Sequence, residues 1–393
     1  RSQYHSRPQA VVDPSRLVMT SLSVAEVRRL RLISLLLAGH DFTTPEQVVE
    51  WFSAMQAQDL ASVKWSLGVR LPGLTETDID EAIERGSILR TWPMRGTIHL
   101  IPARDARWML ATMGVRQLSG VQKRWDYLGL DRPTVERAGE LLAEALTGNK
   151  RLTRSQAAAL FTAQGIDASG QRLYHLLWHS SQVGITCIGP TVDKEQTFVL
   201  LSDWAPDQRQ LEGEEALAEL AWSYFRAHGP AFVTDFSGWA GIPVTAARKA
   251  IKANVGRLTT VETEFGDMWL SSERDDAAED LRGSRARSNV LTLPGFDELI
   301  LGYKDRRAFL EPDQFAAVVP GNNGVFKPTV IDAGRVVGIW KRTVTKSKVK
   351  VEAIPFAEFS ATQRKGIGRA AAGFGQYLGL PAEVVDAKSP SQM

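Results

Sequence analysis

One cysteine, Cys187, in 393 residues leaves no partner for an internal disulfide and no basis for a cysteine-rich zinc site, as expected for a protein of the reducing cytoplasm. No apolar run approaches the roughly 18 residues of a membrane-crossing helix, and no signal-peptide pattern opens the chain. No glycine-rich phosphate loop of the Walker type is present, which argues against ATP hydrolysis. An excess of one charge is missing too: 47 basic and 45 acidic residues leave +2, so bulk electrostatics does not announce a polyanionic partner. Histidine is sparse, at six residues. His175 and His179 share a helix face at metal-ligand spacing, but the intervening "LLW" carries no glutamate base and no other Cys or His lies near in sequence. They read as a core or phosphate-facing pair, and no metal or other cofactor is expected.

What is present is length, periodicity and an uneven charge distribution. A chain of 393 residues exceeds what one core usually serves, so several modules are expected. Residues 1–18, polar and without a leading Met, read as a leader or an appended remnant, with Met19 a natural start. Three stretches then share one plan of helices followed by two short strands. The first has capping spacings at Ser23/Glu26 and Thr44/Gln47, helices predicted to run through Met55 and over 60–67, the helix "TETDIDEAIERG", and "SILRTWPMRGTIHLI" turning at Arg95 and Gly96. The second opens at Thr153 and Gln156 and ends in "ITCIGP" and "TFVLLSDW"; the third runs from "EEALAELAWSYFRAHG" to "LTTVETEFGDMWLS". Helices and a strand pair, three times, are the order of tandem winged helices in an α+β chain, with boundaries at 19–149, 150–205 and 206–285. One irregular α+β domain is the competing reading. Residues 286–393 look like a small β-barrel or curled sheet closed by a helix over 361–378.

From Arg335 to Lys350 there are six basic residues (Arg335, Lys341, Arg342, Lys346, Lys348 and Lys350) and no acidic one, whereas "ERDDAAED" at 273–280 is acidic. The basic run suits a hairpin that grips phosphates, and equally a solvated one. His99 and Arg95 on the earlier hairpin are further candidates for DNA contact, with a satisfied structural role open for His99. Asp297, Glu298, Tyr303 and Asp305 offer acid–base groups or loop-holding ion pairs. "GIGRAAAGFG" at 366–375 has dinucleotide-like glycines but no preceding strand.

The least ordinary feature is the stretch "AMQAQDLASVKWSLGVR" at 54–70. Residues i and i+2 point to one side only in an extended segment. Gln56 and Gln58 therefore project together from the turn between two helices, while Ala57 packs inward. Two adjacent amides can accept and donate enough hydrogen bonds to hold one water in a fixed orientation, and such positioning can itself be catalytic when the bond to be broken is weak.

With "ILRTWPMRGTIHLI", "HGPAFVTDFSGWAGIP" and "LPGFDELILGYKDRR", that stretch resembles the tandem winged-helix DNA glycosylases of the AlkZ and YcaQ type, nearly from Met19 to the end. The family's catalytic element is a Gln, apolar, Gln or Gln, apolar, Asp triplet, which falls here on Gln56, Ala57 and Gln58; Asp59 is one position too late to be its aspartate. The resemblance implies a monomeric, cofactor-free, monofunctional glycosylase acting on double-stranded DNA with N7-alkylpurine adducts or interstrand crosslinks. The second Gln points to the branch associated with bacterial self-resistance to azinomycin-type crosslinkers. An open C-shaped arrangement of winged helices would admit a tethered base that cannot be flipped freely. A non-catalytic winged-helix regulator or lesion sensor is the alternative. Lys64, the nearest amine to the glutamines, is expected on a solvated or phosphate-facing surface.

Overall fold

The computed structural model describes residues 21–274 and 289–386. The leader, Met19 and the acidic run from residue 275 on lie outside the described residues. Helix starts follow the capping chemistry. Ser23/Glu26 cap Val24–Ser34, Thr44/Gln47 cap Pro45–Phe52, and Thr75/Asp78 cap Glu76–Glu84. Leu60–Arg70 begins at Asp59, whose carboxylate accepts from Ser62 N at 3.2 Å.

The first strand pair is β2 (Ile88–Met94) with β3 (Thr97–Pro102), after the short strand β1 (Met55–Gln56). Arg95 at φ 54° and Gly96 at φ 67° turn the hairpin, the backbone that a tight two-residue turn requires. A helical stretch outside the expected plan follows, including Gln122–Leu128 and Arg132–Leu146. In the second set, helices Arg154–Ala163 and Gln171–Gln182 precede β5 (Thr186–Val192) and β6 (Glu195–Leu200), with β4 (Arg151–Thr153) beside β6. The third set consists of Gly213–His228, Val233–Ala240, Val244–Lys252, β7 (Leu258–Val261) and β8 (Met268–Ser271).

The first two hairpins are not separate. They join at Arg90↔Ile188 into one six-stranded sheet of order β1-β3-β2-β5-β6-β4. β2 is buried along all seven residues, so it has neither a free edge nor a solvated face. Two apolar clusters flank this sheet, one centred on the first and third helix sets and one around Trp92, Trp125, Phe161 and Trp178; Ile98 packs against both.

The C-terminal strands are β9 (Val290–Leu293), β10 (Thr329–Asp332), β11 (Arg335–Val344), β12 (Val349–Pro355) and β13 (Ala382–Asp386). They form the curled sheet rather than the closed barrel, in the linear order β13-β12-β11-β10-β9 with β13 parallel to β12. The helix Ala361–Leu378 contains the whole "GIGRAAAGFG" segment, so those glycines form no phosphate loop. They serve close packing instead: a Cβ on Gly366 would lie 2.5 Å from Val290. Phe374 and Tyr377 of the same helix meet Trp65 at ring distances of 4.7 and 5.1 Å, and Gly68 leaves the room, since a Cβ there would lie 2.7 Å from Tyr377. Burying aromatics of this size contributes about 1.5–3 kcal/mol each, enough to hold the helix that follows the glutamines firmly on the C-terminal sheet.

Candidate active site

The helix before the glutamines ends at Phe52, three residues short of the predicted Met55. Ser53 adopts φ 60°, which stops the helix and redirects the chain into β1. Met55 and Gln56 pair with Leu100 and His99 of β3, and Ala57 N donates to Ile98 O at 2.7 Å. The segment is therefore extended, as the i, i+2 argument requires. Ala57 is fully buried, and Gln56 Nε2 donates to Gln58 Oε1 at 3.0 Å. Gln58 is exposed, whereas Gln56 is only 6% exposed. The carbonyl oxygen Oε1 of Gln56 is buried and has no hydrogen-bond partner among the described residues. An unsatisfied buried acceptor costs about 1–3 kcal/mol, and such orphans call for a functional explanation.

Cations and one imidazole lie behind the pair. Arg90 Nη2 donates to Ala57 O at 3.1 Å, fixing the middle of the triplet, and burial pushes the guanidinium down to about 10. Arg90 is the one charged residue of the strand "ILRTWPM", an oddity that could have flagged it. His99, a candidate for DNA contact, is fully enclosed and lies beside Gln56 across the strands. Burial, then the charge of Arg95, depresses it to about 3, although the Thr97 carbonyl opposes the shift. The ring is therefore neutral. Arg95, at the hairpin turn, bonds His99 Nε2 through Nη2 at 3.2 Å.

Glu298 is buried beneath the same strand. Its Oε1 lies 3.5 Å from Gln56 N, and its Oε2 meets His228 Nε2 at 3.1 Å and Trp239 Nε1 at 3.2 Å. Neighbouring Asp297 is bound by Arg70 at 2.7 and 3.1 Å and by Ser66 Oγ at 2.6 Å. Tyr303 donates to His228 O at 2.8 Å, and Asp305 accepts from Arg307. Of the two roles open for these four residues, the holding role is the one in which the structure places them. Spacing gave no hint that Glu298, 242 residues away, would touch the Gln56 peptide.

Lys64 departs from its expected place. It is 7% exposed and paired with Glu76 at 3.4 Å and with Asp80, because the helix Glu76–Glu84 folds its acidic face onto the helix carrying Lys64. The basic hairpin also differs from its one-dimensional picture. β13 brings Glu383 to Lys348 at 2.7 Å and into register with Lys350, Glu352 sits opposite Lys341, and Glu311 binds Arg335 at 2.6 Å. Arg342 lies over Phe374, and Lys346 stands at the exposed tip. Glu383 comes from β13 and Glu311 from just before a 3-10 helix, both far from the run in sequence, while Glu352 follows Lys350 by two residues on β12. His175 and His179 lie among aromatic rings, with Trp178 6.0 Å from the first and Trp125 5.4 Å from the second, away from the glutamines.

The site is an uncharged amide pair at a sheet edge, in a mixed α+β chain built of helix sets and short hairpins. The family model for AlkZ-like DNA glycosylases matches residues 49–377, and the chain belongs to that family. It is similar to an interstrand DNA cross-link repair glycosylase of Streptomyces sahachiroi, with 26% identity over 358 residues, 86% of this chain and 92% of that protein. The solved structure of Streptomyces sahachiroi DNA glycosylase AlkZ superposes with a TM-score of 0.74 at 25% identity, covering 93% of this chain and all of that one.

Proposed function

We propose that the protein hydrolyses the N-glycosidic bond of N7-alkylated purines in duplex DNA, unhooks interstrand crosslinks of the azinomycin type and leaves abasic sites, and so serves self-resistance to a genotoxic natural product. The observation that carries this reading is the pairing of Gln56 and Gln58 on one side of an extended segment, with Gln56 Oε1 unsatisfied. Alkylation at N7 makes the base a cation, so it departs as a neutral leaving group and needs no strong general acid. What remains is to orient water and favour the developing sugar cation, which amide oxygens supply. The relative's name, a cross-link repair glycosylase, supports the substrate class. Family membership disfavours a regulator or a non-catalytic lesion sensor.

The three helix sets and their strand pairs are read as winged-helix units that curve around the duplex, the first two sharing a sheet. Among the hairpin cations, Lys346 at the tip is the least encumbered, so the phosphate grip is assigned chiefly to it, with Lys341 and Lys350 further along the two strands. Neutralising these three is expected to weaken binding and to lower the slope of log K against log salt by about 0.9 for each phosphate no longer neutralised. An unchanged slope moves the DNA-binding face elsewhere.

Strand scission by a glycosylase requires an amine that attacks the sugar. Lys64 is buried and its ammonium is engaged by two carboxylates, Glu76 and Asp80. Incubation with N7-methylguanine DNA is therefore expected to release base in excess EDTA, yielding abasic sites without nicks and no borohydride-trapped adduct. A trapped complex that disappears in Lys64→Ala would replace water by the amine in this mechanism.

A further inference from the structure

The turn that carries Arg95 is where three parts of the molecule meet. Its Cγ passes over Gly241, at the end of Val233–Ala240, so closely that a Cβ there would lie 3.0 Å away. Arg116 Nη1 donates to the Gly241 carbonyl at 3.1 Å and fixes the same corner. The guanidinium then folds back to His99, and among the described residues that imidazole is its one hydrogen-bond partner. Nε is buried with no partner, yet the residue as a whole stays partly exposed. With Nη2 taken and Nε enclosed, Nη1 is the nitrogen left for an incoming group.

Withdrawing a guanidinium from water is costly; the nearby Glu298 carboxylate favours the charged form, but no carboxylate among the described residues binds Arg95 directly, and an arriving anion lowers the cost further. The identity of its partner matters. A guanidinium only donates, so His99 Nε2 must present a lone pair, and Nδ1–H then donates to Thr97 O at 2.9 Å. A protonated His99 would lose that acceptor and repel Arg95, which fits the enclosure that keeps the ring neutral. The cross-strand register sets His99 directly beside Gln56. One imidazole thus joins the glutamine strand to a partly exposed cation that makes no direct ion pair among the described residues.

We propose that Arg95 clamps a backbone phosphate of the DNA next to the Gln56–Gln58 pair, and that His99 is the positioning residue that aims it. The proposal rests on the glycosylase reading, because the anion it commits to is a nucleic-acid phosphate. The clamp fixes the register of the lesion sugar against the glutamines, and a displacement of about 1 Å at a reacting centre is enough to lose roughly a hundredfold in rate.

Two readouts on the full chain test it: the salt slope of binding to undamaged duplex, and single-turnover base release from N7-methylguanine duplex. Arg95→Gln is expected to lower the slope by about 0.9 and release by about ten- to a hundredfold. His99→Leu is expected to slow release to a similar degree. His99→Gln, whose side-chain oxygen can accept from Nη2, is expected to recover release to within about threefold of wild type. The double variant Arg95→Gln/His99→Leu should be no slower than Arg95→Gln alone. An unchanged slope in Arg95→Gln overturns the clamp, and a double variant slowed by the product of the single effects overturns the positioning role. Because the slope needs no catalysis, wild-type protein that releases no base defeats the glycosylase reading and leaves the clamp to be decided on binding alone.

Discussion

Gln56→Ala and Gln58→Ala are each expected to slow single-turnover base release by roughly ten- to a thousandfold, the span seen when one positioning or charge-stabilising group is removed. The two should differ in their effect on stability. Gln58 is exposed, and its replacement removes one hydrogen bond, from Gln56 Nε2 at 3.0 Å. Gln56 is buried with an unsatisfied Oε1, so its replacement removes an orphan that costs the fold about 1–3 kcal/mol. Denaturant titration should find Gln56→Ala no less stable than Gln58→Ala although its activity is as low. Stability sacrificed at a site and recovered on deleting the functional group is the behaviour of a residue retained for chemistry. Gln56→Ala that unfolds early and still excises would show that the amide serves packing.

The largest stability effect is expected at Asp297. Its carboxylate is buried, takes both ends of the Arg70 guanidinium, and also accepts from Ser66 Oγ and from Leu299 N at 3.0 Å. Asp297→Ala leaves Arg70 charged and enclosed, and should cost about 3–5 kcal/mol in urea unfolding. Replacing both partners with apolar residues should cost much less, since no charge is then stranded. Burial, the largest single influence, would raise the Asp297 pKa, but Arg70 together with the hydrogen bonds from Ser66 and Leu299 N outweighs it and holds the carboxyl below its ordinary value. The folded state thus favours the ionised form. This stabilisation is complete above an unfolded-state pKa of about 3.9 and is lost as pH falls through the lower folded value. His99 acts earlier in an acid titration. Its folded value of about 3 lies below the ordinary His value of about 6.5, so the unfolded chain binds the proton more readily. Stability therefore begins to fall below about pH 6.5, and Asp297→Ala should weaken only the lower part of the acid transition.

Local chemistry was legible in the sequence where it acts over a few residues. Capping pairs marked the starts at Val24, Pro45 and Arg154, and the final helix spans the expected 361–378. The glutamine pair was legible for the same reason, because an i, i+2 relation tests extended backbone. Its preceding helix is shorter than expected because Ser53 in a left-handed conformation carries no signal that Gly or Asn would have given. Long-range pairing was not legible. The junction of β2 with β5 links residues 90 and 188 through strands buried at the contact, which lack the alternation that marks a strand face. Charge read along the chain misled in both directions: Lys64 is covered by an acidic helix, and the hairpin cations meet carboxylates from β12, β13 and Glu311. The link of Arg90 and Glu298 to the glutamines was not legible, although Glu298 was a candidate in its own right, because each acts on the segment through a backbone group, Arg90 on Ala57 O and Glu298 on Gln56 N.

The central claim, that a neutral amide pair unhooks alkylated DNA by hydrolysis, is tested most directly with a duplex crosslinked through N7 of two purines. Under single-turnover conditions, denaturing electrophoresis and mass spectrometry of the strands are read for wild type and for Gln56→Ala/Gln58→Ala. Wild type is predicted to separate the strands, leaving one intact strand with an abasic site and its partner carrying the released base, while the double variant leaves the crosslink in place. Equal unhooking by both proteins, or separation by strand cleavage with no abasic site, would contradict it.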